Sequence, residues 1–258
     1  MKVVSFIMAL VVPVFVFAHS EHEHGPETQV VIESDVEGVV QAGSVELSFR
    51  MVDTDREQII KTDNLEVVHE KKLHMFIFDE ALLEFQHVHP EFNVERNRWV
   101  VTVTLPKNGN YWVWAQGTLR LESSERVAFT TSMRLETTGG EPANPLPPQL
   151  NEKRVGNDGE SIVTLGNNPF RAGKMSMLTL AMTRRDGTEP QITHFLGAKA
   201  HVIGVLSDGD ALVHEPSMEH GNKLMVHMVF PEAGNYRLWV QYIDGGVLRT
   251  IALSVRVR

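Results

Sequence analysis

The chain contains no cysteine. That excludes disulfides, a lipid-modified or nucleophilic cysteine, thiolate-ligated blue copper and iron–sulfur clusters, so any metal must be held by His, Met or carboxylate. It also lacks a basic stripe: with a formal charge of −9 and a pI near 5.7, it has nothing to offer a phosphate backbone, and no nucleic-acid partner is expected. No Gly-rich phosphate loop or dinucleotide fingerprint follows a strand. Amphipathic helical periods of ten residues or more are missing too, save a short ambiguous stretch near Arg56 to Ile60.

The first residues, MKVVSFIMALVVPVFVFAHS, carry one lysine, an apolar run from Val3 to Phe17 and small-residue cleavage chemistry at Val16-Phe17-Ala18. This is the pattern of a secretory signal peptide over residues 1–18. The run is shorter than the ~20 residues a membrane span needs and Pro13 interrupts it. The expected location is therefore the periplasm or the cell exterior, with no membrane span after cleavage. Residues 19–28, HSEHEHGPET, form a polar His/Glu tail.

An internal repeat organises the rest. LPKNGNYWVWAQG (105–117) aligns without a gap on FPEAGNYRLWVQY (230–242), matching Gly109-Asn110-Tyr111 with Gly234-Asn235-Tyr236, Trp114 with Trp239 and Gln116 with Gln241. Extending backward, His74 falls on His201 and His87 on His214, and farther upstream Ala42-Gly43 falls on Ala172-Gly173. Each copy is about 100 residues, the size of a β-sandwich domain. Short alternating segments rich in Val, Thr and aromatics, such as RWVVTVTL and YRLWVQY, are punctuated by Asn-Gly and Asp-Gly turns, which is strand periodicity. The expected fold is all-β, with two tandem immunoglobulin-like β-sandwich domains at 29–137 and 152–258, joined by a Pro/Gly linker at 138–151. Trp112, Trp114, Trp239 and the tyrosines of the Gly-Asn-Tyr turns are expected to fill the two-sheet cores.

Twelve histidines stand out. In FQHVHPEF, His87 and His89 are two residues apart on a strand and share a face, about 6.6 Å apart by strand rise. Folding Leu73–Phe78 against Leu82–Val88 as a hairpin places His74 across from or diagonal to that pair. Three imidazoles then converge, a first shell suited to copper or zinc. The competing reading is a His-x-His pair on a solvent-facing strand. Copy two keeps His201 and His214 but has Pro216 in place of His89. Either the loop HEPSMEHG supplies His220 as a replacement ligand, or His214 is a surface remnant. His227 reads as an ordinary strand residue, and Met175, Met177, Met225 and Met228, although soft enough for Cu(I), read mainly as core packing. His69 and His194 carry no usable pattern. Cleavage after Ala18 would make His19 the first residue, where α-amine and imidazole chelate copper together; the competing reading is a solvated His/Glu tract that scavenges metal weakly.

LHMFIFDEALLEFQHVHPEF, followed by WVVTVTLP and GNYWVWA, resembles a group of secreted bacterial tandem β-sandwich proteins that carry an HxHP motif in a strand hairpin. That resemblance implies the fold and an exported location. A leader ending in Ala-His before a sandwich is similar to the periplasmic copper-resistance C proteins, which implies a metal-ligating N-terminal histidine at His19. FQHVH also resembles the His-x-His strand of copper/zinc superoxide dismutase, but the chain lacks that enzyme's cysteine pair and zinc-loop histidines, so its activity is not implied. The reading on these grounds is an exported protein that buffers, carries or detoxifies copper or zinc, in contact with other envelope metal-handling proteins. The alternative is an adhesion or scaffold module whose histidines are incidental. A metal-dependent hydrolase with Glu84 or Glu91 as base is the least supported, because no carboxylate pair or catalytic triad accompanies the histidines.

Overall fold

The computed structural model describes residues 29–36, 39–145, 150–221 and 223–258. Copy one contains β1 (Val30–Ser34), β2 (Val39–Gln41), β3 (Gly43–Asp53), β4 (Gln58–Ile60), β5 (Leu73–Asp79), β6 (Phe85–Val88), β7 (Glu91–Asn93), β8 (Arg98–Leu105), β9 (Gly109–Arg120) and β10 (Arg126–Thr138). Copy two contains β11 (Val155–Asn157), β12 (Ser161–Leu165), β13 (Met175–Arg184), β14 (Ile192–Thr193), β15 (His201–Leu206), β16 (Leu212–Pro216), β17 (Met218–His220), β18 (Lys223–Val229), β19 (Gly234–Asp244) and β20 (Val247–Val257). The ambiguous stretch ending at Ile60 is a turn leading into β4, not a helix; a single 3-10 turn, Thr62–Asn64, follows it. Gln58, Ile59 and Ile60 pair with β3, and that ladder overrides the weak helical signal.

Each copy is a two-sheet immunoglobulin-like sandwich. In copy one, β1-β3-β8-β7 with β4 on β3 faces β2-β10-β9-β5-β6; in copy two, β11-β12-β13-β18-β17 faces β14-β19-β15-β16 with β20 on β19. Odd-numbered residues of β5 and β9, among them Leu73, Met75, Ile77, Tyr111, Val113 and Ala115, point into the first core with Leu47, Phe49 and Trp99. Even-numbered residues of β15 and β19, such as Val202, Leu206, Leu238 and Val240, build the second with Phe170 and Phe230. The tyrosines of the two Gly-Asn-Tyr turns pack in these cores and also bond back across a corner. Tyr236 donates to the carbonyl of Glu232 at 3.1 Å, and Tyr111 OH accepts the amide of Lys107 at 3.2 Å. These bonds fix the entry to β9 and β19.

All seven residues of β5 and all six of β15 are buried. A strand in a single sandwich alternates buried and exposed positions, so burial of both faces requires a second partner. That partner is the other domain. Phe76, Phe78, Leu82, Trp112 and Trp114 of copy one pack directly on Ile203, Val205, Leu212 and Trp239 of copy two. Here the expectation that the tryptophans fill the sandwich cores is corrected: Trp112, Trp114 and Trp239 line the seam between the domains, because even positions of β9 and odd positions of β19 project away from the cores. Trp239 stacks on Phe85 at 4.4 Å between ring centres. Trp114 Nε1 donates to Gly209 O at 3.2 Å and Arg237 Nε to Leu82 O at 3.1 Å. At Gly209 any Cβ would collide with the Trp112 indole, which holds this turn to glycine.

Candidate metal centre between the domains

One end of the seam is made of histidines. The β5–β6 ladder pairs Phe76 with His87 and Met75 with Val88, and continuing that register sets His74 opposite His89, just past the strand end. His74, His87 and His89 each offer a ring nitrogen, and the three nitrogens lie within 4.8 Å of one another. The hairpin reading is realised, but the site is not on a solvent face. His74 is 2 % exposed, and the rings abut the other domain.

The outer hydrogen bonds set the tautomers. His74 Nε2 lies 2.9 Å from the Val68 carbonyl, which can only accept, so Nε2 carries the proton and Nδ1 presents a lone pair. His87 Nδ1 lies 2.8 Å from Gln241 Oε1 across the seam, and Gln241 Nε2 donates to Thr250 Oγ1 at 3.0 Å, which orients the amide. His87 Nε2 therefore also presents a lone pair. It faces His74 Nδ1 at 3.1 Å. Two ligands at ~2.05 Å on a tetrahedral ion stand about 3.3 Å apart, so this pair is spaced as if across a cation. Turning the Gln241 amide by 180° would let His87 donate to His74 instead. Gln241 thus selects between a closed imidazole pair and one open to an ion. His89 Nε2 is buried and has no hydrogen-bond partner among the described residues. A surface cleft of about 290 Å³ lined by Lys71, Leu73, His89 and Glu91 reaches this ring from solvent.

Burial keeps these imidazoles neutral. Loss of hydration pushes His74 down to about 4 and His89 to about 3, and His87 falls further still, with neighbouring imidazoles adding to the effect. Neutral imidazole is the form that binds a transition metal.

Copy two reproduces the pair. His201 Nε2 donates to the carbonyls of Phe195 and Leu196 at 3.0 and 3.2 Å. His214 Nδ1 bonds Gln116 Oε1 at 3.1 Å, the reciprocal of the His87–Gln241 contact, and His201 Nδ1 faces His214 Nε2 at 3.2 Å. The matched Gln116 and Gln241 of the repeat each orient a histidine of the opposite domain.

Two expectations for copy two are corrected. His220 is exposed on β17, which pairs with β18 in the opposite sheet from His201 and His214, so it is not brought to them. His214 is no surface remnant: it is 5 % exposed in the seam. The residue that does join them is His69, from copy one. Its ring centre lies 5.2 Å from that of His201 and 5.4 Å from that of His214. It sits in a two-residue turn, with His69 and Glu70 at φ of 49° and 62°, closed by paired Val68 and Lys71 backbone bonds. Copy two has the same turn with Leu196 and Gly197 at these positions. A turn residue has no strand period, and its partners belong to the other domain, so no pattern in the sequence could single it out.

His227 is a strand residue opposite Met177, as expected. Met228 is a core residue, whereas Met175 and Met177 are 65 % and 42 % exposed and do not fill the core. His19, proposed as an N-terminal copper ligand, and the signal segment lie outside the described residues. Among those residues no helix is long and apolar enough to cross a membrane.

The fold and site define a tandem immunoglobulin-like β-sandwich protein with a histidine cluster between its domains. The chain belongs to the family described as a domain of unknown function (DUF8832), whose model matches residues 18–134 and 153–258. No curated protein matches it. Among solved structures it is similar to invasin, a bacterial integrin-binding protein, with 12 % identity and a TM-score of 0.25 over 89 % of this chain and 39 % of that one. It is also similar to the β-glucuronidase of Parabacteroides merdae, with 12 % identity and a TM-score of 0.24 over 90 % of this chain and 25 % of that one. A third is the Ig1-2 module of the Drosophila receptor tyrosine phosphatase DLAR, at 8 % identity and a TM-score of 0.22, covering 90 % and 99 % of the two chains. The chain spans only 24 to 39 % of the first three solved structures it matches.

Proposed function

We propose that the protein is an exported metal-binding protein that holds copper or zinc at His74, His87 and His89 and buffers, carries or detoxifies the ion. The observation that supports this most is the set of three ring nitrogens within 4.8 Å, two of them with lone pairs face to face and the third buried without a partner. A cation resolves all three at once. The outer shell is of the kind that metal-ligating histidines use, with a backbone carbonyl on one ring and an amide on the other. With imidazole as the only ligand type at the site, copper and zinc are favoured over magnesium or calcium, which take oxygen. The exported location rests on the leader-like residues 1–18, and delivery to or from other envelope metal-handling proteins follows from it.

Calorimetric titration of untagged protein with Cu²⁺ or Zn²⁺ tests this reading. The His87→Ala, His89→Ala double variant should lose at least one bound ion per chain; unchanged stoichiometry would sink the proposal.

A second reading, a two-domain adhesion or scaffold module of the envelope, is favoured by the apolar seam. Phe76, Phe78, Trp112, Trp114, Ile203, Val205 and Trp239 bury a large surface that joins the domains without any ion. In that case binding to envelope partners survives chelation, whereas a metal carrier's partner binding is chelator-sensitive.

A further inference from the structure

We infer that the seam holds a second metal position, built by His201 and His214 of copy two together with His69 of copy one. It rests on the same imidazole chemistry as the first site but on different residues. His201 Nδ1 has its lone pair free because Nε2 is committed to the Phe195 and Leu196 carbonyls. His214 Nε2 faces it at 3.2 Å, with Nδ1 bonded to Gln116. The N–N separation again approaches the ~3.3 Å between two nitrogens on one tetrahedral ion. The third ring completes a triangle with centre separations of 5.3, 5.2 and 5.4 Å. At the first site the corresponding separations are 5.4, 5.0 and 4.7 Å, and there the three ring nitrogens already lie within 4.8 Å of one another; among the described residues only that set does so, and a turn about the His69 side-chain bonds is what brings the third nitrogen to the second position.

The repeat shows how this arrangement arises. Copy two has Pro216 where copy one has His89 and Leu196 where copy one has His69. Copy two therefore keeps two ligands of its own and lacks the third, while copy one carries a histidine beyond its own three. The pseudo-symmetric docking of the domains delivers that extra imidazole to the copy that needs it. An ion there is ligated from both domains and ties them together, whereas the first site draws all three ligands from copy one, with copy two adding the Gln241 hydrogen bond and the His214 ring, 5.3 Å from those of His74 and His87.

The test is elemental analysis after equilibrium dialysis of the full, untagged chain against Zn²⁺, with Co²⁺ visible absorption as a second readout of tetrahedral nitrogen coordination. His69→Asn keeps a residue that tolerates positive φ and removes only the ring; His201→Gln attacks the same position from copy two. Each should lower the ion count by one relative to wild type, as should His89→Ala at the first site, and His69→Asn with His89→Ala should lower it by two. Any ions on the N-terminal tail cancel in these differences. If His69→Asn, with unchanged circular dichroism, binds as many ions as wild type while His89→Ala loses one, the second position is wrong and the first stands. If His89→Ala loses none while His69→Asn does, the first-site reading fails and the second position stands.

Discussion

Copy one and copy two are the same sandwich with the same histidine pair, yet they differ in how that pair is completed. His74–His87 and His201–His214 share a thirteen-residue separation, a carbonyl on one ring, and a glutamine from the opposite domain on the other. Copy one adds His89 from its own strand end. Copy two has Pro216 paired with His201 there, and its nearest further imidazole is His69 from across the seam. Duplication thus preserved the buried pair while the third position diverged. The shared part is fixed by two glutamines at one β9/β19 position, and the divergent part by a turn and a strand end, where single substitutions cost the fold least.

The largest effect that separates the copies is loss of an ion. His74→Ala should abolish binding at the first site and leave the His69, His201 and His214 ligands in place; titration with Zn²⁺ reads this directly. Next comes the seam itself. Trp239→Ala removes a buried indole shared by both domains and should cost about 3–5 kcal/mol in denaturant unfolding, whether or not metal is present.

Gln241→Leu and Gln116→Leu sharpen the comparison further. Each removes the group that orients one histidine, and loss of such an outer partner typically weakens metal affinity 10- to 100-fold. Gln241→Leu should weaken the first site and Gln116→Leu the second, measured by competition with a chromophoric chelator. Gln241→Glu, which can only accept from His87 Nδ1, should instead tighten the first site.

A smaller effect is the pH dependence of the metal-free protein. His74 and His201 have folded-state pKa values near 4, depressed by burial from an ordinary value of 6.5. The unfolded chain therefore binds protons that the folded chain does not, so their contribution is fully present above about pH 6.5 and is lost as pH falls toward 4. The slope is at most about 1.4 kcal/mol per pH unit per imidazole. Chemical unfolding at pH 7 and pH 5 checks the sign.

Much of the fold was legible in the sequence. Period-two alternation and the repeated Gly-Asn-Tyr strand announced two sandwiches, and strand register alone brought His74 to His87 and His89. What escaped was the docking of one domain on the other. LHMFIFD and HVIGVL are apolar at nearly every position, which is the mark of strands covered on both faces, but composition does not say what does the covering. The tryptophans are ambiguous for the same reason, since an indole buried in a seam reads like one buried in a sandwich. His69 was illegible because it sits in a turn and its two closest imidazoles come from the other domain, more than 130 residues away in the sequence. His220 is near His214 in sequence but not in space, because β17 belongs to the opposite sheet.

Above all, buried imidazoles in the seam are proposed to hold a transition metal. X-ray absorption at the metal edge of untagged protein loaded with Zn²⁺ or Cu²⁺ tests it most directly. The expected spectrum has a shell of about three imidazole nitrogens at ~2.0–2.1 Å with the multiple-scattering pattern of histidine and no sulfur, lost when His74→Ala and His201→Gln are combined. An oxygen-only shell, or a spectrum that the combined variant leaves unchanged, would contradict it.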